Sequence, residues 1–426
     1  MLRPIPFSKV FAVGLGNALE FYDFLTYSFF AIQIGHTFFP AQKTSHGLLF
    51  SLATFGVGFV SRPLGGVIIG AYADRVGRKP AMTFSFTLMG VAITGLALTP
   101  SYDQIGALAP ILLVLFRLAQ GFALGGEVGP STAYLVEAAP PERRGLYVSL
   151  QYMTQDAAVL AAGIVGFALS SWLTPAALDA WGWRVAFLLG ALVVPVGLVI
   201  RRSLPETLHA SDRESPASDT AKIPRRLVVL SLMMLASMTI VLYSIDYLAT
   251  YAQDSLHMTP SQGFGAIVVV GVCTMTFDPI TGLLADRFGR KPVMLTATVL
   301  LMVAAIPSFA LMAHTGSVIV VYAGTAVLSV LSSLAAGPTL IAITESFPKH
   351  ARARTLGTLY AVAVATFGGT TQIAVKWLTD VSKSPLAPAC YMTAALAVGV
   401  VAMLLTRETA PTPGDGSSEM DRARNS

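Results

Sequence analysis

The chain has 426 residues, of which 54% are hydrophobic and 12% are charged, and its formal net charge is +5. A soluble domain is about 25% charged, so this composition excludes an ordinary water-soluble protein and gives no reason to expect nucleic-acid binding. The two cysteines, Cys273 and Cys390, lie in separate apolar runs and indicate no disulfide framework. The six histidines fall at predicted helix ends or in loops. The sequence therefore predicts no metal site and no cofactor.

Apolar runs of about 20 residues, separated by short charged loops, predict an all-α integral membrane protein. The first run contains Glu20 and Asp23 and is too long for the core of a signal peptide, so we expect an uncleaved first span. We predict twelve transmembrane helices, at residues 9–37, 46–72, 80–99, 107–138, 146–173, 184–202, 226–252, 261–284, 292–312, 316–346, 355–379 and 386–406.

The spans divide into two sets of six. A polar stretch rich in Ser, Pro and charge separates the sixth span from the seventh and is typical of a linker. We expect an N-terminal six-helix half (1–202), a cytoplasmic linker (203–225), a C-terminal six-helix half (226–408) and a disordered tail (409–426). An N-terminus placed inside puts the great majority of the 28 lysines and arginines on the same side. The positive-inside rule then predicts that both termini are cytoplasmic.

The two halves carry matching motifs. GAYADRVGRKP at 70–80 returns as GLLADRFGRKP at 282–292, each time between the second and third helix of its half. LVEAAPPERRG and ITESFPKHARA form a second pair, in which Glu137 and Glu345 each precede a proline by three residues. Duplicated halves of this kind place a substrate site near the membrane midplane, between the repeats.

The repeated charged stretch resembles the cytoplasmic signature of the major facilitator superfamily, G-x3-[DE]-[RK]-x-G-[RK]-[RK]. Within it, GNALEFYDF (16–24), SRPLGG (61–66), RLAQGFALGGE (117–127), WGWR (181–184) and RRSLPET (201–207) resemble the metabolite:proton symporter family. Members of that family import citrate and tricarballylate, 2-oxoglutarate, shikimate, or proline and betaine. The resemblance covers nearly the whole chain and implies a multi-pass protein of the bacterial inner membrane.

The same resemblance assigns the signature to a charge lock that closes the cytoplasmic side. We expect Asp74 to meet the N-terminus of a helix from the other half, and Arg78 to reach Glu137. The expected gate residues are Gly70, Asp74, Arg75, Gly77, Arg78, Lys79, Glu137, Arg144, Asp278, Asp286, Arg287, Arg290 and Lys291.

Charged side chains inside the predicted spans mark the candidate site, because each costs about 2.5–3.5 kcal/mol at the bilayer centre. A guanidinium binds a carboxylate through two parallel hydrogen bonds, so Arg62 and Arg117 are the candidates for a substrate carboxylate. The alternative is that each neutralises a neighbouring acid. Further substrate-binding candidates are Asn17, Glu20, Gln120, Gln151, Tyr152, Tyr243 and Tyr247.

A proton-coupled carrier also needs a carboxyl group that gains and loses a proton. Sugar–proton relatives use an Asp on the first helix that faces an Arg on the fourth, and Asp23 and Arg117 resemble that pair. We expect Asp23 to bind the coupling proton while Arg117 moves between Asp23 and the substrate. Glu127 and Asp156 are the other candidates, and a static bridge between Asp23 and Arg117 is the alternative.

These features predict a symporter that imports a small organic carboxylate by alternating access. Citrate or a similar tricarboxylate is favoured, with 2-oxoglutarate, shikimate or a zwitterion such as betaine or proline as alternatives. The sequence has no nucleophile–base pair and no set of metal ligands that would indicate an enzyme. The presence of both coupling and gate residues argues against a receptor. Drug efflux is less favoured because the interior is cationic. The expected partners are the metabolite, protons and the lipid bilayer, and we expect a monomer.

Overall fold

The structure is a computed structural model that describes residues 18, 21–39, 46–76, 78–125, 139–191 and 223–410. Within these ranges the regular secondary structure is helical throughout. The long apolar runs of the sequence form these helices because a helix pairs nearly all of its backbone polar groups internally, as the hydrocarbon core requires.

The first part of the chain, up to residue 191, contributes seven labelled helices. The first of them continues helical residues 21–29 across a turn at Phe30. They are α1 (Ala31–Phe38), α2 (Gly47–Val60), α3 (Arg62–Val76), α4 (Arg78–Leu98), α5 (Leu108–Leu124), α6 (Arg144–Trp172) and α7 (183–191).

The second part, from residue 223, contributes eight. They are α8 (Arg225–Asp246), α9 (Leu248–Asp254), α10 (Pro260–Phe288), α11 (Arg290–Thr315), α12 (Val318–Ser346), α13 (Lys349–Ala363), α14 (Gly369–Ser382) and α15 (Ala387–Leu405).

Eight helices in the described ranges are long and apolar enough to cross a membrane, and the helices Thr83–Leu98 and Leu108–Leu124 are shorter apolar ones. The chain is therefore a multi-pass membrane protein. The count of twelve spans and the cytoplasmic position of the termini stay predictions, because parts of the first, fourth and sixth spans lie outside the described residues. Most of the predicted linker and tail lie outside them as well.

Several predicted boundaries are corrected. The span expected at 226–252 is broken at Tyr247, between α8 and α9. The span expected at 355–379 begins at Lys349 and contains a wide turn, Val364–Gly368, that joins α13 to α14. The span expected at 46–72 continues to Val76 and is interrupted at Ser61, whose hydroxyl donates to the Leu118 carbonyl at 2.7 Å. The same hydroxyl also donates to the Gly58 carbonyl of the preceding turn at 3.3 Å, and a serine that bonds back to its own helix in this way bends it.

Helices α6 and α10 run antiparallel and join the two parts of the chain. A Cβ built on Gly282 would lie 2.6 Å from the Gly145 carbonyl oxygen, and one on Gly271 would lie 2.6 Å from the Leu160 Cα. Further along, a Cβ on Gly163 would lie 3.0 Å from the backbone nitrogen of Val268. Small residues thus let the two backbones touch along much of their length, as in other membrane helix pairs.

We call the end of the molecule at which α6 begins and α10 ends the basic end. Arg144, Arg287, Arg290 and Lys291 lie there. The other end, at which α10 begins, is the opposite end.

Candidate functional site

Two arginines lie against one aromatic ring in the interior. Arg62 begins α3 and Arg117 lies in α5, and their guanidinium carbons are 4.3 and 4.5 Å from the centre of the Phe24 ring. Arg62 also lies 4.4 Å from the centre of the Phe59 ring. We call Asp23, Arg62, Arg117 and Gln120 the arginine cluster. A guanidinium that stacks its planar face on aromatic rings is stabilised even where water is excluded.

Arg117 is fully buried and only partly hydrogen-bonded. Its Nη1 donates to the Gln120 side-chain oxygen at 2.7 Å and its Nη2 to the Phe55 carbonyl at 3.3 Å. Its Nε and the Gln120 amide nitrogen have no acceptor among the described residues. A Cβ on Gly58 would lie 3.2 Å from Nη2, so glycine leaves room for the guanidinium. The cluster therefore has N–H groups at the edge of the guanidinium. A substrate carboxylate could bind there by accepting hydrogen bonds from them.

Asp23 is 1% exposed, and neither of its carboxyl oxygens has a hydrogen-bond donor among the described residues. The charge of Arg117 acts on it from close by. The structure thus brings Asp23 and Arg117 together without a direct hydrogen bond, while Arg117 donates to Gln120 and Phe55 instead. An unpaired buried carboxylate is costly and a protonated carboxyl is much less so. This environment suits a group that gains and loses a proton.

Aromatic rings join the arginine cluster to the second part of the chain, and we call them the aromatic wall: Phe24, Tyr27, Phe59 and Tyr243. The Tyr243 ring of α8 is 5.3 Å from the Phe59 ring, centre to centre. Beside it, Gln372 of α14 donates to the Ser28 hydroxyl at 2.6 Å. The sequence prediction included Tyr243 but missed Phe24, Phe59, Ser28 and Gln372. A glutamine within an apolar run was a usable signal for Gln372, whereas a phenylalanine in a membrane helix carries none.

Two acids meet across the contact between α6 and α10. The carboxyl groups of Asp156 and Asp278 lie within hydrogen-bonding distance of each other, and we call them the carboxyl pair. The Ser333 hydroxyl donates to Oδ1 of Asp278 at 2.5 Å. Asp278 was predicted at the gate, but it lies two helical turns, about 12 Å, from Asp286 along α10. The structure groups it with Asp156.

The remaining candidates are dispersed. Tyr152 lies beside the carboxyl pair, and Gln151 is buried on the same helix. Tyr247 is buried near Asp254 and Asp380, towards the opposite end and away from the arginine cluster. Asn17, Glu20 and Glu127 lie outside the described residues.

At the basic end, the Asp286 carboxylate lies against the N-terminus of α6. Its carboxyl oxygens accept hydrogen bonds from the backbone N–H groups of Gly145 at 2.8 Å and Leu146 at 3.0 Å. The N-terminus of a helix carries unpaired N–H groups and a partial positive charge, so it favours a carboxylate there. This contact ties the second copy of the repeated motif to the first part of the chain.

Arg290 completes the contact. It lies 3.2 Å from the Asp286 carboxylate and donates to the Glu345 carboxylate at 3.2 and 3.3 Å. Arg144 approaches Glu345 at 3.7 Å from the first part of the chain. We call Arg144, Asp286, Arg290 and Glu345 the charge latch. Arg287 lies apart from it, over the ring of Phe288.

The first copy of the motif is less fully described. Gly77 and Glu137 lie outside the described residues, and so do the surroundings of Gly70 and the side chains of Asp74, Arg75, Arg78 and Lys79. The helix N-terminus contact expected for Asp74 is made by Asp286 in the second copy. The contact expected between Arg78 and Glu137 has its counterpart in that of Arg290 with Glu345.

The residues after α15 bind to the latch. Glu408 accepts hydrogen bonds from the N–H groups of Arg290 at 3.0 Å and Lys291 at 2.9 Å, and the Thr409 hydroxyl donates to Glu345 at 3.0 Å. Partial burial raises the pKa of Glu408, but four backbone N–H groups outweigh it and hold that pKa below its usual value. Glu408 therefore stays ionised at neutral pH. We call residues 406–410 the C-terminal strap.

Gly289 makes the strap contact possible. Its φ of +96° lies in the region that favours glycine, and a Cβ there would lie 2.9 Å from Oε2 of Glu408. The motif glycine thus serves the turn between α10 and α11 and the approach of Glu408.

Loss of Glu345 is expected to open the basic end. The change Glu345→Gln leaves the buried Arg290 with one acidic partner, and breaking a buried ion pair costs about 3–5 kcal/mol. The reporter is a cysteine in place of Ser149, which is buried between α6 and Gly282. We expect this cysteine to react with a membrane-impermeant maleimide at least tenfold faster in the Glu345→Gln variant than in the protein that keeps Glu345. Both native cysteines are replaced first. The control is Glu142→Gln, an exposed acid outside the latch. Equal labelling rates in the two variants would contradict the latch.

Comparisons with known proteins agree on one family. The sequence pattern of the Major Facilitator Superfamily matches residues 13–277 and 229–424. A citrate-proton symporter of Klebsiella pneumoniae is 34% identical over 399 residues, covering 92% of this chain and 90% of that protein. A proline/betaine transporter of Escherichia coli (strain K12) is 32% identical over 426 residues, covering 96% of this chain and 84% of that protein.

Solved structures show the same fold. The crystal structure of a D-xylose-proton symporter superposes with a TM-score of 0.77 and 19% sequence identity, covering 95% of this chain and 98% of that one. The inward-open conformation of the xylose transporter XylE from E. coli superposes with a TM-score of 0.76, covering 98% of this chain and 99% of the other.

Proposed function

Because the chain belongs to the Major Facilitator Superfamily, we propose that it is a proton-coupled symporter that imports a small organic carboxylate. Citrate or a similar tricarboxylate is the favoured substrate, and the bacterial inner membrane is the expected location. The observation that carries the proposal is the arginine cluster: two interior guanidiniums stacked on Phe24 beside a buried, unpaired Asp23.

The aromatic wall supports an anionic substrate over a cationic one. Aromatic cages recognise quaternary ammonium groups by offering ring faces to the cation. Here Arg62 already lies over Phe24 and Phe59, and Arg117 over Phe24 and Tyr27. A substrate cation would compete with these guanidiniums, whereas a substrate carboxylate would bind their edges.

Relatives with both kinds of substrate match this chain. The name of the Klebsiella protein gives citrate, and so does that of a relative from Salmonella typhi at 32% identity. Relatives named for proline and betaine match at 32%. A zwitterion such as betaine or proline is therefore the second candidate, held by its carboxylate alone. Among anions, 2-oxoglutarate and shikimate are the others to test.

In the proposed cycle the charge latch closes the cytoplasmic side, which the positive-inside rule assigns to the basic end. Two six-helix halves, 1–202 and 226–408, would rock about a site between them, with both termini in the cytoplasm. Asp23 would carry the coupling proton and Arg117 would exchange Asp23 for the substrate carboxylate, with Glu127 a further acid to test. The chain would act as a monomer.

Uptake into proteoliposomes tests the proposal. With a pH gradient acid outside, we expect radiolabelled citrate to accumulate, and a protonophore to abolish the accumulation. Unlabelled tricarboxylates and 2-oxoglutarate should compete, while betaine and proline should not. Accumulation of betaine with no response to citrate would overturn the anion assignment and leave proton coupling in place. Accumulation of neither would overturn both candidates.

A further inference from the structure

We propose that Asp156 and Asp278 share one proton across the contact between α6 and α10, and that this proton must be bound for the two helices to pack as they do here. The site is separate from Asp23, so it adds a second proton-binding position. Its proton controls the packing of the two helices, whereas the coupling proton of the proposed function is the one that Asp23 carries, so the inference goes beyond the proposed function.

The carboxyl pair lies between elements that belong to different parts of the chain. Asp156 lies in the middle of α6 and Asp278 lies in the second half of α10. Glycines bring the two backbones into contact along these helices. Asp278 is 5% exposed and cannot reach bulk water without separating the helices, whereas Asp156 is partly exposed. The pair is thus built into the contact itself.

Hydrogen-bond donors to the pair are few. Ser333 donates to Oδ1 of Asp278, and Oδ2 has no donor among the described residues. The Thr274 hydroxyl, which lies beside Asp156, donates its proton to the Val270 carbonyl at 3.0 Å. Two carboxylates are acceptors only, so they can hydrogen-bond to each other only if one of them is protonated.

The charged and titratable groups around the carboxyl pair also favour a proton bound between Asp156 and Asp278. The titratable groups that interact with the pair are Tyr152, on α6 itself, and Asp246 of α8, and Tyr360 of α13 in turn acts on Tyr152. None of these groups in the described part of the chain is a cation. Asp246 is itself 2% exposed, with Oδ1 lacking a donor, so it adds a third acid. Two like charges in contact away from water cannot both ionise.

The consequence for transport follows from the position. When the proton leaves, two carboxylates face each other across the helix contact, and their repulsion favours separation of α6 from α10. When it returns, the contact can close. The arginine cluster has no part in this step, so substrate and proton need not compete for one guanidinium.

Infrared titration of the purified protein tests the shared proton. The C=O stretch of a protonated carboxyl is distinct from the carboxylate bands and shifts in deuterium oxide. We expect Asp156→Asn and Asp278→Asn each to remove the same band, and the double variant to remove nothing more. Asp23→Asn should leave that band in place, as should the control Asp103→Asn at an exposed site. Two bands lost independently, or no band lost from either variant, would overturn the proposal.

A second measurement uses a chain with both acids intact, in case the Asn variants do not fold. The cysteine at position 149, in the background without native cysteines, reports on the α6–α10 contact. We expect its maleimide labelling, corrected for the thiolate fraction of a free thiol, to speed up at least fivefold as the pH rises through the loss of the infrared band. A corrected rate independent of pH would overturn the proposal. Citrate accumulation measured on the same samples separates this failure from that of the proposed function, since symport through Asp23 would survive it.

Discussion

Replacing Asp23 with Asn is expected to end accumulation of the substrate while exchange of substrate across the membrane continues. At zero membrane potential, a pH gradient of one unit supplies about 1.4 kcal/mol per proton, which is a tenfold accumulation. The amide cannot be ionised and carries no proton through the cycle, so the ratio of inside to outside substrate should fall to about 1. Proteoliposomes with an imposed pH gradient measure that ratio, and counterflow measures exchange.

The matched control for this change is Asp103→Asn, because Asp103 is exposed in a short helix far from the arginine cluster. It should accumulate substrate like the unchanged protein. If the Asp23 variant accumulated substrate tenfold as well, Asp23 would not be the coupling residue, and Glu127 or the carboxyl pair would take its place.

Replacing Arg117 with Lys is expected to raise the KM for a carboxylate substrate by about 10- to 100-fold. Lysine keeps the charge but loses the planar pair of donors and the stacking on Phe24 and Tyr27. A hydrogen bond to a charged group contributes about 1.5–3 kcal/mol, and each 1.4 kcal/mol is a factor of ten. Initial rates of uptake against substrate concentration give the KM.

Arg184→Lys provides the comparison for a half-buried arginine outside the site. Arg184 donates to the carbonyls of Ala97 at 2.6 Å and Thr99 at 2.7 Å, near the opposite end. Its loss should lower the melting temperature and leave the KM within about twofold. An unchanged KM in the Arg117 variant would mean that Arg117 has only a structural role, and Arg62 would remain as the carboxylate ligand.

The helices and the charged repeat were predictable from the sequence because each depends on a strong local signal. A span needs a long apolar run, and the latch needs an Asp and an Arg at fixed spacing from a glycine. The breaks at Ser61 and Tyr247 were not predicted, since each depends on where a single residue's backbone or hydroxyl lies in three dimensions.

The site was predicted only in part. Arg117 and Asp23 were candidates from the sequence because a charge inside an apolar run is conspicuous, and the structure brings them close together. Their partners were missed because Phe24 and Phe59 look like any other apolar residue, and their role appears only when two guanidiniums lie on them. Asp278 was predicted at the cytoplasmic gate because it lies only eight residues before Asp286 in the sequence. Its contact with Asp156 depends on the pairing of α6 with α10, which no single helix encodes.

The C-terminal strap has a consequence for how the protein is made. Glu408 follows every described helix in the chain, yet it binds the start of α11, which is synthesised more than a hundred residues earlier. Membrane helices insert as they emerge, and the chain folds from its N-terminal side during synthesis. The latch therefore lacks its last hydrogen bonds until translation has passed the strap. A ribosome that stops short of residue 408 would release a carrier with all its described helices and a charge latch that lacks the hydrogen bonds of the strap.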